Sequence, residues 1–253
     1  MGVDLLVVAS AAAAGALGGA LVPVPAYRLS VPVQSPDRDA CDRCGTPLPA
    51  GWRGWVRVPA RCSECWARLG PPAWLTAIVA GVASAVLALC LGPRLVLPLF
   101  VALAVLGVAL GAIDIACKRL PHKLVMPALW VGSALLAVVA LVTWSWGTWL
   151  RAVLAAAVLF AIFAVLASLP GGGLGFGDVK LAALLGLFLG WLGWRTVLFG
   201  ALLPWLVNAP VVLTLLLLGR AGRRSRLPFG PALLVGALLA IVVTVGVPKI
   251  IAA

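Results

Sequence analysis

Eight long apolar runs dominate the chain, at about 3–22, 73–92, 95–117, 124–144, 149–169, 179–193, 195–219 and 229–251. Most approach the roughly 20 residues that a helix needs to cross the hydrocarbon core of a bilayer. None shows the strict apolar–polar alternation of a half-buried strand, so each is predicted to be a helix. The sixth run is short and rich in glycine. Gly and Ala recur in all of them, as suits helices packed closely in lipid. One region breaks the pattern. Residues 23–72 are rich in Pro, Arg, Trp and Asp and hold four of the six cysteines. Three parts are therefore expected: a first transmembrane helix at 1–22, a polar module at 23–72 and a seven-helix membrane domain at 73–253. No internal repeat is evident.

Composition sharpens the assignment to lipid. Hydrophobic residues make up 64% of the chain and charged residues 10%, whereas soluble domains are about half apolar and about a quarter charged. No soluble core of this size needs so much apolar surface. The first run lacks a basic segment before it and carries Asp4 instead, which predicts a membrane helix rather than a cleaved signal peptide.

The net charge of +12 raises the question of nucleic acid, and its distribution answers it. With 23–72 placed in the cytoplasm, the inside segments collect 15 Lys and Arg, among them Lys118, Arg119, Lys123, Lys180, Arg220, Arg223, Arg224 and Arg226. The outside segments collect four, Arg94, Arg151, Arg195 and Lys249. This is the positive-inside bias of a polytopic protein, not a nucleic-acid surface. Lys118, Arg119, Lys123 and the 220–226 arginines are expected at anionic headgroups.

Acids are scarce, and their positions are informative. Asp4, Asp37, Asp39, Asp42 and Glu64 precede residue 73, and only Asp114 and Asp178 follow it. A carboxylate at membrane depth costs roughly 2.5–3.5 kcal/mol on insertion scales and signals function. The topology puts Asp114 at the cytoplasmic end of the third span and Asp178 at the cytoplasmic start of the sixth. Two acids at one depth can form a dyad that shares a proton, one activating water while the other polarises a carbonyl. The alternative for Asp178 is an ordinary helix N-cap. Before it runs the glycine-dense stretch 171–177, of which Gly175, Phe176 and Gly177, with Lys180 beyond, are candidate substrate-loop residues.

The cysteines fall as Cys41-x2-Cys44 and Cys62-x2-Cys65, a spacing read as a four-cysteine zinc site. Four thiolates fill a tetrahedron and leave no position for water, so the zinc is expected to be structural. A redox dithiol is the alternative. Cys90 and Cys117 lie in or beside apolar runs and are expected to act as small hydrophobes. Trp52, Trp55 and Trp66 are expected to pack on the module or sit at the headgroups. The sole histidine, His122, argues against a Ser-His or Cys-His mechanism and is expected to be solvated.

Taken together, these segments resemble the prepilin peptidases, or type IV leader peptidases. Gly175-Phe176-Gly177-Asp178-Val179-Lys180-Leu181 is similar to their Gly-x-Gly-Asp motif. Asp114 followed by Leu120-Pro121 resembles their other catalytic segment, with Leu for the usual Ile and His122 where Asn or Asp is common. Leu227-Pro228-Phe229-Gly230-Pro231 resembles the opening of their last span, and the cysteine pairs resemble their zinc-binding insertion. The resemblance implies an all-α polytopic membrane protein of about eight transmembrane helices, with a small cytoplasmic zinc-binding module between helices 1 and 2. It implies an aspartic endopeptidase acting on prepilins and pseudopilins through Asp114 and Asp178. It further implies a place in the cytoplasmic (inner) membrane of a prokaryote, with active site and module facing the cytoplasm. Some members also methylate the new N-terminus with S-adenosylmethionine. The chain departs from the family pattern at 18–23 and at 71–74, where an acid is absent, so that activity and its cofactor are not assigned. The rival classes are a proton-coupled transporter, which needs acids near the bilayer midplane, and a scaffold, which leaves both acids unexplained.

Overall fold

The computed structural model describes residues 4–31, 35–169, 174–218 and 228–248. The arginines expected at 220–226, Leu227, Gly171 to Gly173 and Lys249 lie outside them. The described chain is all helical apart from two isolated β-bridges in the polar module. In order come α1 (Leu5–Ala20), α2 (Pro23–Leu29), α3 (Trp52–Trp55), α4 (Ala73–Leu91), α5 (Leu97–Cys117), α6 (His122–Val142), α7 (Trp146–Ser168), α8 (Phe176–Leu192), α9 (Trp194–Leu217) and α10 (Gly230–Ile241), the last running on into a π-helical turn, Val242–Gly246. Among the described residues, α4, α5, α6, α7 and Trp194–Thr214 of α9 are each long and apolar enough to cross a membrane. A sixth is obtained if α1 and α2 count as one bent span, and α8 and the α10 segment are shorter apolar helices. The protein thus carries multiple membrane-spanning helices, with a four-cysteine cluster between the early ones in the chain.

The helices bury only part of their apolar surface against one another. Within α6 and α7 the most apolar window is 28% buried by protein, and Leu6, Trp130 and Val142 stand wide open. Such faces are stable only against lipid chains. Close approach within the bundle is set by small residues. Gly186 and Gly190 of α8 lie on α7, where an added Cβ at Gly190 would sit 2.5 Å from the Ala155 methyl and 2.9 Å from the Ala152 Cα. The core beside this seam is filled by larger groups: Phe100 of α5 meets Phe188 of α8 edge to face, with centroids 5.2 Å apart.

Two boundaries differ from the sequence expectation. The first span stops at Ala20, and the chain then bends by 42° into α2. Pro23 and Pro25 lie in the first turn of α2, where proline's fixed φ is preorganised for a helix. Residues 23–29 form a helix that bridges the two parts: Ala26 and Leu29 pack with Ala109 and Ile113 of α5, and Tyr27 packs with Cys41 and Cys62 of the module. The helix of the sixth run begins at Phe176, three residues earlier than its hydropathy indicates, because Gly175 and Asp178 supply the start signal described below.

The module repeats one turn twice, although little but the cysteines and a leucine recurs in its sequence. Cys41 N–H donates to Thr46 O and Cys62 N–H to Ala67 O, each at 2.9 Å. The bridges Ala40 to Pro47 and Arg61 to Arg68 close both turns. Gly45 and Trp66, each just after the second cysteine of its pair, hold φ of 73° and 57°. Leu48 and Leu69 then cover the cysteines with Tyr27. Trp55 lies half-buried with the Arg28 guanidinium 5.1 Å from its ring centroid, while Trp52 and Trp66 are exposed.

Candidate active site

Asp114 lies in the last turn of α5, and that helix ends three residues later, at Cys117, because Lys118 adopts a left-handed conformation, φ 52°. Its N–H closes the end by donating to Asp114 O at 2.7 Å. The Asp114 side chain is almost wholly buried, 4% exposed. It turns toward the start of α10, where Gly230 N–H donates to Oδ2 at 3.0 Å. The first N–H groups of a helix have no partner within it and carry the positive end of its dipole, so a carboxylate is favoured there.

Asp178 is built the same way at another helix. It is the third residue of α8, and its Oδ2 accepts the N–H of Gly175, the N-cap, at 3.1 Å. The Asp178 N–H in turn donates to Gly175 O at 3.0 Å. The side chain is 8% exposed. The N-cap is therefore Gly175 and not, as the alternative expected, Asp178, which stands three residues on with its carboxylate fixed by the N-cap N–H. Among the described residues, each carboxylate takes one hydrogen bond, on Oδ2 in both cases.

The two acids belong to one locality. Asp178 lies within reach of the Asp114 charge. The loop 118–121 that follows Asp114 packs on the first turn of α8, and a Cβ added at Gly177 would lie 3.0 Å from the Leu120 Cβ. The next turn is tied as well: Lys180 Nζ and His122 Nδ1 are 3.0 Å apart. His122 is therefore not simply solvated, as a lone histidine in a basic loop is expected to be. Nor does Lys123 face headgroups alone, since its ammonium pairs with Asp37 at 2.9 Å and links this loop to the polar module.

Of the expected substrate-loop residues, Gly175 precedes α8, while Phe176, Gly177 and Lys180 lie on its first two turns. Phe176 is 60% exposed, has its ring edge-on to Phe160, and has Lys180 Nζ 5.1 Å from its centroid. Gly230 is the site residue that the sequence alone leaves without a role. Its signal lies in the Pro228-to-Pro231 segment, but the contact spans 116 positions of sequence.

The cysteines gather as their spacing predicts. The Sγ atoms of Cys41, Cys44, Cys62 and Cys65 all lie within 4.8 Å of one another, the one such group of possible metal ligands among the described residues. Cys41 and Cys65 are 3.7 Å apart and Cys44 and Cys62 3.5 Å. A tetrahedron with metal–sulfur bonds of about 2.3 Å has edges of about 3.8 Å, so the donors fit an ion of that size. All four thiols are free. Their protonation pulls apart: the Thr46 hydroxyl, bonded at 3.1 Å, lowers Cys44 to about 6. The Ala67 N–H favours the Cys65 thiolate, but desolvation and the other three sulfurs push it up to about 12. Ionised together at this spacing, the four would need a cation among them.

Comparison with known proteins places the chain in a family. The profile of the type IV leader peptidase family matches residues 100–219, a stretch that holds both Asp114 and Asp178. A prepilin leader peptidase/N-methyltransferase of Burkholderia pseudomallei is 33% identical over 231 residues, covering 83% of this chain and 67% of that protein. This chain belongs to the type IV leader peptidase family. Proteins of the same name from Aeromonas salmonicida and Pseudomonas aeruginosa are each 30% identical, covering 85% of this chain and 72% and 73% of theirs. No solved structure matches the chain. As a member of this peptidase family, the chain is an enzyme set among membrane-spanning helices.

Proposed function

We propose that the chain cleaves the leader peptides of prepilins and pseudopilins, with Asp114 and Asp178 as the catalytic pair. The observation that carries the reading is that the two acids of the membrane domain, distant in sequence, are both buried and both held at helix N-termini, where the loop after Asp114 packs on the first turn of α8. Two carboxylates so placed share one proton, and their titration belongs to the pair. The ionised member draws a proton from water while the protonated member donates to the scissile carbonyl oxygen. The water oxygen adds to the carbonyl carbon, and the leaving amine takes a proton as the peptide bond breaks. The N–H groups of Gly175 and Gly230 hold Oδ2 of each acid, which leaves Oδ1 for water and substrate. Neither acid is near the middle of an uninterrupted span: Asp114 is in the final turn of α5 and Asp178 in the first of α8. Both positions fit a cut at the membrane boundary rather than ion transit.

Sidedness follows from the charge bias. The site and the four-cysteine module face the cytoplasm, in the cytoplasmic (inner) membrane of a prokaryote. Zinc is the ion of the module, bound by Cys41, Cys44, Cys62 and Cys65. It would supply only the cross-link that so small a unit lacks in apolar core. The module reaches the site through Lys123 and Asp37 and through Arg119, whose Nη1 donates to Val31 O at 3.4 Å. The reading stops at peptide hydrolysis; the transferase activity in the relatives' names is not carried over.

The test is co-expression of the chain with a panel of prepilins and pseudopilins in membranes, with mass spectrometry of the products. A new N-terminus at the leader boundary, in a host lacking its own leader peptidase, is the expected result. Intact precursors across the panel, with the chain inserted and folded, would contradict the proposal.

A further inference from the structure

The second cysteine hairpin carries a charge arrangement that the first does not. Its closing bridge sets Arg61 directly opposite Arg68, where the first hairpin sets Ala40 opposite Pro47. Like charges opposed across a pair of strands destabilise it. No acid relieves them. Among the described residues the ion pairs are Arg38 with Asp42 and Lys123 with Asp37, and Glu64, on the same hairpin, pairs with neither arginine.

Both arginines line a small cleft of about 160 Å³, whose other wall is the segment 71–74 at the start of α4. No acid lines it. It is smaller than the roughly 300–1,000 Å³ of a drug-sized ligand site, which suits one phosphate rather than a whole cofactor. The cleft also lies where headgroups lie. α4 is long and apolar enough to cross a membrane, and it begins at Ala73. Trp74, on the cleft wall, is 64% exposed, and tryptophan at the end of a span settles at headgroup level. A guanidinium there meets phosphate oxygens with a matching fork of donors. Two cations and no acid favour a net-anionic headgroup over a zwitterionic one, whose ammonium they repel.

We propose that this cleft binds the phosphodiester of an anionic phospholipid headgroup, with Arg61 and Arg68 as the residues that hold it. The bound phosphate is the counter-ion that the opposed arginines lack. It pins the second hairpin to the bilayer surface beside α4, while the Lys123–Asp37 pair ties the module to the loop after Asp114. The assignment is independent of the peptidase reading.

Native mass spectrometry of the full chain, expressed with zinc and released from micelles holding phosphatidylglycerol and phosphatidylcholine in equal amounts, tests this. One phosphatidylglycerol should stay bound where phosphatidylcholine is stripped. Arg61→Gln/Arg68→Gln should weaken its retention by at least about tenfold. Either single change, Arg61→Gln or Arg68→Gln, should lower retention, and Arg43→Gln, on the first hairpin, should not. In detergent without lipid the double variant should keep its zinc against a chelator at least as well as the native chain, because the repulsion is gone. Loss of zinc from that variant would overturn the proposal by showing that the arginines serve the cysteine cluster instead. Equal retention of phosphatidylglycerol by the double variant, retention of phosphatidylcholine as firmly as phosphatidylglycerol, or displacement of the lipid by inorganic phosphate would overturn the headgroup assignment.

Discussion

Adding one methyl group at Gly230 isolates the role of the Asp114 carboxylate from the stability of the bundle. The Cβ of an alanine there would lie 2.8 Å from Asp114 Oδ2 and 3.1 Å from its Cγ. Ordinary contact requires the oxygen to retreat by roughly 0.6 Å, and that retreat strains or breaks the 3.0 Å bond from the Gly230 N–H. A hydrogen bond to a charged group contributes about 1.5–3 kcal/mol, which at 1.4 kcal/mol per decade is a loss of about 10- to 150-fold in rate. The rest of the helix is undisturbed, since Gly230 is only its first residue. The assay is initial rate of prepilin cleavage in membranes at matched protein level, alongside thermal unfolding of the detergent-solubilised chain. Gly230→Ala should lower kcat by about one to two decades with Tm lowered by only a few degrees, as for about 1–3 kcal/mol of local strain. A variant that cuts within about twofold of the native rate would refute the claim that the Gly230 N–H positions Asp114.

Four further outcomes follow from the same geometry. Arg151→Met removes the bonds from the guanidinium to the carbonyl oxygens of Gly190 at 2.8 Å and Trp191 at 2.9 Å, the cap on the far end of α8. It should cost about 3 kcal/mol in unfolding measurements but leave kcat unaltered, because Asp178 is at the opposite end. Gly190→Leu should separate α7 from α8 and lower Tm, with the loss of about 1–3 kcal/mol typical of overpacking. Cys44→Ser, or a strong chelator, should reduce bound zinc from about one ion per chain toward zero by elemental analysis and open residues 35–69 to protease. Trp66→Gly should make the module more resistant to chelator by about 1 kcal/mol, since Trp66 holds φ 57° at a site where its twin is glycine and its side chain is 67% exposed.

Much of this architecture is legible in the sequence because lipid imposes a simple pattern. A chain with seven acids, two of them beyond residue 73, draws attention to Asp114 and Asp178 through their scarcity alone. The cysteine pairs are equally clear, since thiolate spacing fixes the ligands without reference to the rest of the fold. What escapes a linear reading is decided by backbone geometry. Hydropathy does not place the start of α8, because the N-cap turn at Gly175 and Asp178 is set by two hydrogen bonds and not by apolarity. The bend after Ala20 follows from Pro23 and Pro25, a pair of prolines that suggests a loop although Ala26 and Leu29 are buried on α5. The contact of Gly230 with Asp114, and that of His122 with Lys180, join segments far apart in sequence. No local pattern encodes such pairings. The matching turns of the module are hidden because their likeness lies in hydrogen bonds, with only Cys, Cys and Leu in common.

The most direct test of the central claim compares the native chain with Asp114→Asn and Asp178→Asn, each inserted in membranes at matched level with a prepilin that the native chain trims. Asparagine keeps the size of each side chain and an oxygen to accept from Gly230 or Gly175, while removing the shared proton and charge. Both variants should fold, retain zinc and leave the leader attached, each losing at least about 10³-fold in rate, as expected when one member of a unit that acts jointly is removed. Cleavage by either variant near the native rate would contradict the assignment of the pair.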